Sequence, residues 1–194
     1  YSPYGYGGGM YMDSSYIIYL LIALIVPMLA QAKLTSTFNH YIRVRNSSGM
    51  TGAEVARRIL DMNGLQHVHL TEVGGRLSDH YDPTRKTVRL SSDIYRGNSI
   101  ASVAVAAHEC GHAIQHANAY APLQFRSAMF PLVNFANKFG YIAILLGFVL
   151  GRGNFLLLGI IMVGITVLFQ LVTLPVEFNA SARALTQLGE LNIL

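Results

Sequence analysis

The sequence has few charged residues: Asp, Glu, Lys and Arg make up 12% of its 194 residues, against about 25% in an average soluble domain. Hydrophobic residues account for 52%. This balance predicts a protein in contact with a lipid bilayer. The formal net charge is only +4, and the basic residues lie in short clusters after an apolar segment. Nucleic acid is therefore not needed as a partner to explain them.

Cysteine is nearly absent, because Cys110 is the single example in the sequence. One thiol cannot form a disulfide within the chain, so the sequence offers no disulfide framework. The cysteine count therefore leaves the cellular compartment open.

Three apolar stretches are long enough to cross a bilayer. Residues 16–32 carry no charge and approach the ~20 residues that a spanning helix needs. A cleaved signal peptide is the alternative, but Asp13 precedes the stretch where a signal peptide would have basic residues. Residues 128–150 and 155–174 predict two further, antiparallel transmembrane helices. Residues 1–15, rich in Tyr and Gly, predict a flexible lead-in.

Residues 33–127 are polar enough to form a small α+β domain in water. Thr51 and Glu54 have the spacing of a capping box at the start of an amphipathic helix. The stretch "RLSDHYDPTRKTVRLS" combines turn residues with polar and apolar alternation and predicts a β-hairpin. A second helix is predicted from about Ser99 to Asn118.

The distribution of basic residues predicts the orientation in the membrane. Five of them follow the first span: Lys33, Arg43, Arg45, Arg57 and Arg58. The positive-inside rule therefore places the polar domain in the cytoplasm. Two further crossings return the chain to the same side, so residues 175–194 are expected to face the compartment of the polar domain.

The stretch "HECGHAIQH", residues 108–116, carries the clearest chemical signal. On a helix, His108 and His112 lie about 40° apart around the axis and ~6 Å apart along it, so both imidazoles can reach one zinc ion. Glu109 projects beside them and can take a proton from water on the metal, as in the H-E-x-x-H motif. Small residues suit close packing of this helix, namely Ala106, Ala107, Gly111 and Ala113.

Two other residues of this stretch are weaker candidates. Cys110 lies about 200° around the helix from His108, which predicts a small core residue. His116 lies ~12 Å along the axis from His108, too far to share one ion. We therefore expect His116 to be structural or exposed to solvent.

The third zinc ligand is predicted from "LPVEFNASARAL", just beyond the last apolar stretch. Pro175 suits the first turn of a new helix, so Glu177 would lie near the start of that helix. Two His and one Glu form a known catalytic zinc set. A carboxylate that merely stabilises a helix N-terminus is an equally open interpretation. Other oxygen donors also compete, namely Glu72, Asp79 and Asp82.

Four stretches in order, "KLTSTFNHYIRVRNSSGMTGAEVARRIL", "LSDHYDPTRKTVRLS", "AAHECGHAIQHA" and "QLVTLPVEFNASARAL", resemble the YugP-like family of neutral zinc metallopeptidases, which are bacterial membrane proteins. The resemblance implies a zincin-like domain with a gluzincin site similar to that of the HtpX group. On this resemblance His108, His112 and Glu177 bind one Zn²⁺ per chain and Glu109 is the catalytic base. It also implies a multi-pass protein of the bacterial inner membrane.

The expected fold is therefore mainly α, with transmembrane helices and a small cytoplasmic α+β domain that holds the hairpin and the H-E-x-x-H helix. The expected function is hydrolysis of peptide or membrane-protein substrates. His80 and Tyr81 are possible contacts to substrate or transition state, without a spacing argument. An edge strand of the hairpin could bind an extended peptide, or the hairpin could be an ordinary surface feature.

Two other functions are weighed against this one. A site-2 type intramembrane protease takes an aspartate from a later membrane helix, but no Asp follows Asp93 and the apolar run before His108 is too short to span. A zinc-stabilised membrane scaffold without activity would not need Glu109 and would more often use four protein ligands.

The sequence departs from the expected family pattern at two points. Asn179 stands where the resemblance leads us to expect Asp, which bears on any carboxylate support for a ligand there. The chain does not begin with Met and stops before a further apolar segment that the family usually carries. We therefore expect a fragment that lacks a final transmembrane helix.

Overall fold

The computed structural model describes residues 14–193, and the chain divides into two compact units, residues 1–41 and 42–194. In the first unit, helix α1 spans Ser14–Tyr41 and contains Pro27. Most of the predicted flexible lead-in lies outside the described residues. The two units are described separately below.

The second unit contains five helices and three strands among its described residues. In chain order they are α2 (Gly52–Met62), β1 (His69–Val73), β2 (His80–Asp82), β3 (Thr87–Ser91), α3 (Ser92–Tyr95), α4 (Ile100–Ala117), α5 (Ala121–Val149) and α6 (Gly153–Glu190). The predicted class, mainly helical with a small sheet, is confirmed at this level.

Local capping explains where α2 and α4 begin. The Thr51 hydroxyl accepts a hydrogen bond from the Glu54 amide at 3.2 Å, and the Glu54 carboxylate accepts one from the Thr51 amide at 2.7 Å. The predicted capping box is therefore present. The Ser99 hydroxyl accepts from the amide of Ser102 at 3.0 Å and caps α4, close to the predicted start of that helix.

The sheet has the order β1–β3–β2. The β2–β3 pair is antiparallel, which confirms the predicted hairpin, and its turn is closed by the Asp82 carboxylate, which accepts from the amides of Thr84 and Arg85. Strand β1 pairs in parallel with β3, a pairing that the sequence analysis did not anticipate. The short β2 is therefore an edge strand of the sheet.

Helix α4 is the centre of the core and packs on α2, α6 and the sheet. Its small residues allow a close approach to α6, because a side chain at Gly111 would meet the backbone oxygen of Ala180 at 2.6 Å. Along α6, residues spaced by four face this packing: Val176, Ala180, Ala184 and Leu188 are all buried. The fold therefore brings the distant α6 against the helix that carries "HECGH".

The prediction that Pro175 opens a new helix is wrong, because α6 continues through Pro175 without interruption. Proline removes one backbone donor within a helix, but the rest of the hydrogen-bonded helix continues. Burial of Val176 and Ala180 against α4 supports the helix beyond that point. Glu177 therefore lies in the middle of a long helix.

Three described helices are long and apolar enough to cross a membrane, at Ile17–Tyr41, Ala121–Val149 and Gly153–Glu190. They overlap the three stretches, residues 16–32, 128–150 and 155–174, that the sequence predicts to span a membrane. In the second unit, α5 and α6 form a helical hairpin through a turn at Gly151, whose φ is +60°. They pack closely where Gly159 faces the backbone of Gly140 and Ile144, and they leave many large apolar side chains exposed.

Candidate metal centre

The structure brings His108 and His112 of α4 together with Glu177 of α6. The two Nε2 atoms are 3.2 Å apart. The nearer carboxylate oxygen of Glu177 lies 3.1 Å from Nε2 of His108 and 3.5 Å from Nε2 of His112. Three ligand-type atoms from two helices thus converge on one point.

The opposite ring nitrogens of both histidines have partners elsewhere. Nδ1 of His112 is 3.1 Å from the side-chain oxygen of Gln115, and Nδ1 of His108 is 3.2 Å from the hydroxyl of Ser181. Such contacts on the far nitrogen typically orient metal-bound histidines. Each ring therefore turns its Nε2 toward the Glu177 carboxylate.

The donor set fits a zinc ion. Two ligand atoms, each ~2.0 Å from zinc and at a tetrahedral angle, lie about 3.3 Å apart, and the three observed separations are 3.1, 3.2 and 3.5 Å. A carboxylate and two unprotonated imidazole nitrogens are all electron-pair donors, so close convergence without a proton or cation between them is unfavourable. Nitrogen and oxygen donors of this kind suit zinc.

Glu109 lies next to this cluster and is 8% exposed. Burial raises the pKa of its carboxyl group, while the neighbouring imidazoles of His112 and His108 act in the opposite direction. A raised pKa in a cleft brings a carboxylate closer to the range that suits a general base. Its position and pKa therefore fit proton transfer better than metal binding.

The pKa values of Glu177 and His112 both reflect the close approach of their side chains. Hydrogen bonds from His108 and then His112 hold the pKa of Glu177 far below its usual range. Burial acts to lower the pKa of His112, but the hydrogen bond with Glu177 and the charge of Glu109 outweigh it, so the net shift is upward. The site thus favours a negative Glu177 and attracts positive charge.

A cleft of about 730 Å³ opens beside the cluster. Its walls come from β2 and the hairpin turn, from α4, and from the first turns of α5. The predicted contact residues His80 and Tyr81 both line it. The Tyr81 hydroxyl lies 2.9 Å from Nδ1 of His116, so His116 belongs to the cleft wall and lies outside the metal cluster.

On the other side of Glu109, a second and more apolar pocket of about 500 Å³ adjoins His108. Leu77, Leu185 and Leu188 contribute to its walls. Because both cavities include His108 and Glu109, the cluster lies between two parts of one extended cleft.

The competing oxygen donors are engaged elsewhere. Glu72 forms an ion pair with Arg96 at 2.8 Å. Asp79 accepts from the amide of Ser91 at 2.7 Å, and Asp82 closes the hairpin turn. None of the three belongs to the metal-compatible group. Cys110 is fully buried and its thiol lies 3.5 Å from a backbone oxygen of α2, in agreement with the predicted core position.

Gln115 and Ser181 were missed in the sequence analysis. Gln115 lies in the quoted motif, three residues after His112, but its importance depends on the approach of α6. Ser181 follows Glu177 by one helical turn, a spacing that would have been informative only if α6 had been recognised as continuous. The carboxamide oxygen of Asn179 accepts hydrogen bonds from Gln115 and Arg183, so Asn179 is part of the same network.

The chain belongs to the family described as "Putative neutral zinc metallopeptidase", which matches residues 16–194. This is the class that the H-E-x-x-H helix and the clustered carboxylate indicate.

The chain is similar to the "Putative membrane protease YugP" of Bacillus subtilis (strain 168). The two are 52% identical over 169 residues, which are 87% of this chain and 75% of the relative. No solved structure matches the chain significantly.

Proposed function

We propose that the protein is a membrane-embedded zinc endopeptidase of the gluzincin type. His108, His112 and Glu177 would hold one zinc ion, and Glu109 would be the catalytic base. The observation that carries the proposal is the convergence of His108, His112 and Glu177 to separations of 3.1–3.5 Å beside the buried Glu109. A scaffold would have no use for this carboxylate.

The chain's own residues account for the proton transfers of peptide hydrolysis. When bound, zinc would polarise the scissile carbonyl and make a water molecule more acidic. Glu109 removes a proton from the attacking water as the new C–O bond forms. It then delivers that proton to the nitrogen of the leaving amine as the C–N bond breaks.

The cleft supports a peptide substrate. Strand β2 is a short edge strand next to α4, so an extended peptide could add to its free edge through backbone hydrogen bonds. His80 and Tyr81 of this strand would then lie beside the substrate and could donate to its carbonyl oxygen. Burial raises the pKa of Tyr81, which keeps its hydroxyl protonated and able to donate.

The membrane setting is also part of the proposal. Apolar helices α5 and α6 would cross the bilayer, and the site would face the cytoplasm under the positive-inside rule. The apolar part of α6 ends at Leu174, and Glu177 lies only three residues beyond it. The site would therefore lie close to the membrane surface, within reach of membrane-protein segments at that surface.

Measurement of zinc per chain tests the metal site before a substrate is known. We expect about one zinc in the detergent-purified protein and a large loss in Glu177→Gln, which keeps the side-chain volume and removes the charge. Glu190→Gln is the matched control, because Glu190 lies exposed on the same helix and its carboxylate accepts a hydrogen bond from Gln187. Full zinc occupancy in Glu177→Gln would remove Glu177 from the ligand set.

A further inference from the structure

Gln115 links the two helices that carry the proposed zinc ligands. It is fully buried. Its side-chain oxygen is 3.1 Å from Nδ1 of His112, and its amide nitrogen is 2.8 Å from the backbone oxygen of Val176 and 3.0 Å from the side-chain oxygen of Asn179. Both ends of this buried amide are therefore satisfied.

The partners fix which way the amide points. A backbone carbonyl can only accept, so the group facing Val176 must be the NH₂ of Gln115. Arg183 provides an independent anchor, because its guanidinium can only donate and its Nε lies 2.8 Å from the Asn179 oxygen. That oxygen then accepts from Gln115 as well. The oxygen of Gln115 is consequently left facing His112.

The direction of this hydrogen-bond chain extends to the imidazole. An amide oxygen accepts, so Nδ1 of His112 must carry the ring proton to complete the contact. The neutral ring then has an electron pair on Nε2, which faces His108 and Glu177. Without a metal, Glu177 favours the opposite arrangement, because its carboxylate attracts a proton on Nε2.

We propose that Gln115 is a positioning residue that holds His112 in the Nδ1–H tautomer and at the same time clamps the peptide unit of Glu177. The Val176 carbonyl belongs to the peptide bond that joins Val176 to Glu177. One side chain thus orients two of the three ligands, on two helices. The inference rests on the proposed zinc site for its metal readout, but its tautomer readout does not require zinc.

Gln115→Met tests the proposal, because methionine has a similar volume and neither end can replace the amide. In zinc-free protein, at a pH high enough for the His112 ring to be neutral, nitrogen NMR should show Nδ1–H for His112 in the parent. The variant should shift toward Nε2–H, since Glu177 is then unopposed. Zinc affinity, measured by competition with a chelator, should fall about 10–100-fold.

Two substitutions at Asn179 refine the test and do not alter Gln115. Asn179→Asp keeps an oxygen that accepts from both Gln115 and Arg183, so tautomer and zinc affinity should stay close to those of the parent. Asn179→Leu removes one of the two oxygens that accept from the Gln115 amide. The His112 tautomer should therefore move toward Nε2–H, but by less than in Gln115→Met. If Gln115→Met fails to fold, the Asn179 pair decides between the outcomes. Gln66→Met is the control, because Gln66 lies outside the metal cluster and its exposed amide donates to the nearby backbone oxygen of Asp61.

The outcomes separate this inference from the proposed function. An unchanged His112 tautomer in Gln115→Met, with zinc affinity within about twofold of the parent, would refute the positioning role and leave the zinc site intact. A parent that binds no zinc would refute the proposed function, while the tautomer comparison would still decide whether Gln115 orients His112. A fall in affinity with no tautomer change would show that Gln115 only joins the helices.

Discussion

At Glu109 the requirements of stability and of the proposed activity conflict. It is almost fully buried beside the histidine pair, and burial raises the pKa of its carboxyl group. A buried group whose folded pKa exceeds its unfolded value binds extra protons on folding, so its ionisation destabilises the fold as pH rises. The position therefore carries a cost in stability, which the proposed role of Glu109 as a base would explain.

Replacement of Glu109 by Gln should retain zinc, because Glu109 is not among the clustered ligand atoms. Peptide hydrolysis should fall by at least ~10²-fold, since the general base is lost. In zinc-free protein at neutral pH, the variant should unfold at a higher temperature than the parent, and the difference should close as pH is lowered toward ~4. Metal analysis, a peptidase assay and thermal unfolding check these points; undiminished cleavage would exclude Glu109 as the base.

The pH dependence of hydrolysis should carry the signature of Glu109. Only the carboxylate can accept a proton, so kcat/KM should fall as pH drops through its pKa. Burial raises that pKa, and we expect burial to outweigh the opposing charge of a bound zinc ion, so the acidic limb should lie above the ~4.3 of an ordinary glutamate. The measurement needs zinc content at each pH, since protonated histidines release metal. Full activity with full zinc content down to pH ~4 would contradict the raised value.

The residues that helical geometry predicted correctly lie close together in the sequence. His108, Glu109 and His112 lie within one turn of one helix, and Thr51 and Glu54 within another, so helical geometry alone places them together. Gln115 was not predicted because its orientation depends on a carbonyl 61 residues away. Glu177 was an intermediate case, supported by membrane topology and resemblance but not by local geometry.

At the scale of elements, the pair α4 and α6 determines whether the site exists. The proposed ligands come from both helices, and Gly111 permits the close approach of the helices at Ala180. The small residues of α4 were correctly interpreted as a packing surface. The continuity of α6 through Pro175 was not predicted. Proline alone indicates the start of a new helix, but packing of the helix on both sides of Pro175 outweighs this local preference.

Gly111→Ala should separate the two helices and weaken the metal site. Its Cβ would lie 2.6 Å from the backbone oxygen of Ala180, which cannot rotate away, so α6 must shift. We expect a loss of about 1–3 kcal/mol in the free energy of unfolding and lower zinc affinity. Chelator competition and denaturant unfolding measure both effects.

Gly189→Ala is the matched control for this substitution. It lies on α6 with no atom within 4 Å of the added Cβ, so it should be neutral or stabilise the helix by up to about 1 kcal/mol. Equal zinc affinity in the Gly111→Ala and Gly189→Ala variants would show that close helix approach is not required for metal binding.

At the scale of the whole molecule, the orientation in the membrane remains a prediction that cysteine labelling can test. The native Cys110 is fully buried, and burial raises the pKa of its thiol, so it should give little background. Thr84→Cys lies on the exposed hairpin turn. In intact cells it should resist a membrane-impermeant thiol reagent, because the proposed domain faces the cytoplasm.

Arg152→Cys is the partner variant for this experiment, because Arg152 lies in the exposed turn between α5 and α6. If α5 and α6 cross the bilayer, this turn faces the opposite side and should react readily in intact cells. Labelling at Thr84→Cys together with protection at Arg152→Cys would reverse the proposed orientation.

The order of the ligands along the chain also has a consequence for biosynthesis. Glu177 follows His108 by 69 residues, and the hairpin of α5 and α6 must be made before its carboxylate can reach α4. A chain still being synthesised therefore carries two histidines and a base but an incomplete centre. The proposed zinc centre can therefore be completed only after the helical hairpin has been made, so the proposed hydrolysis would begin only at that stage of synthesis.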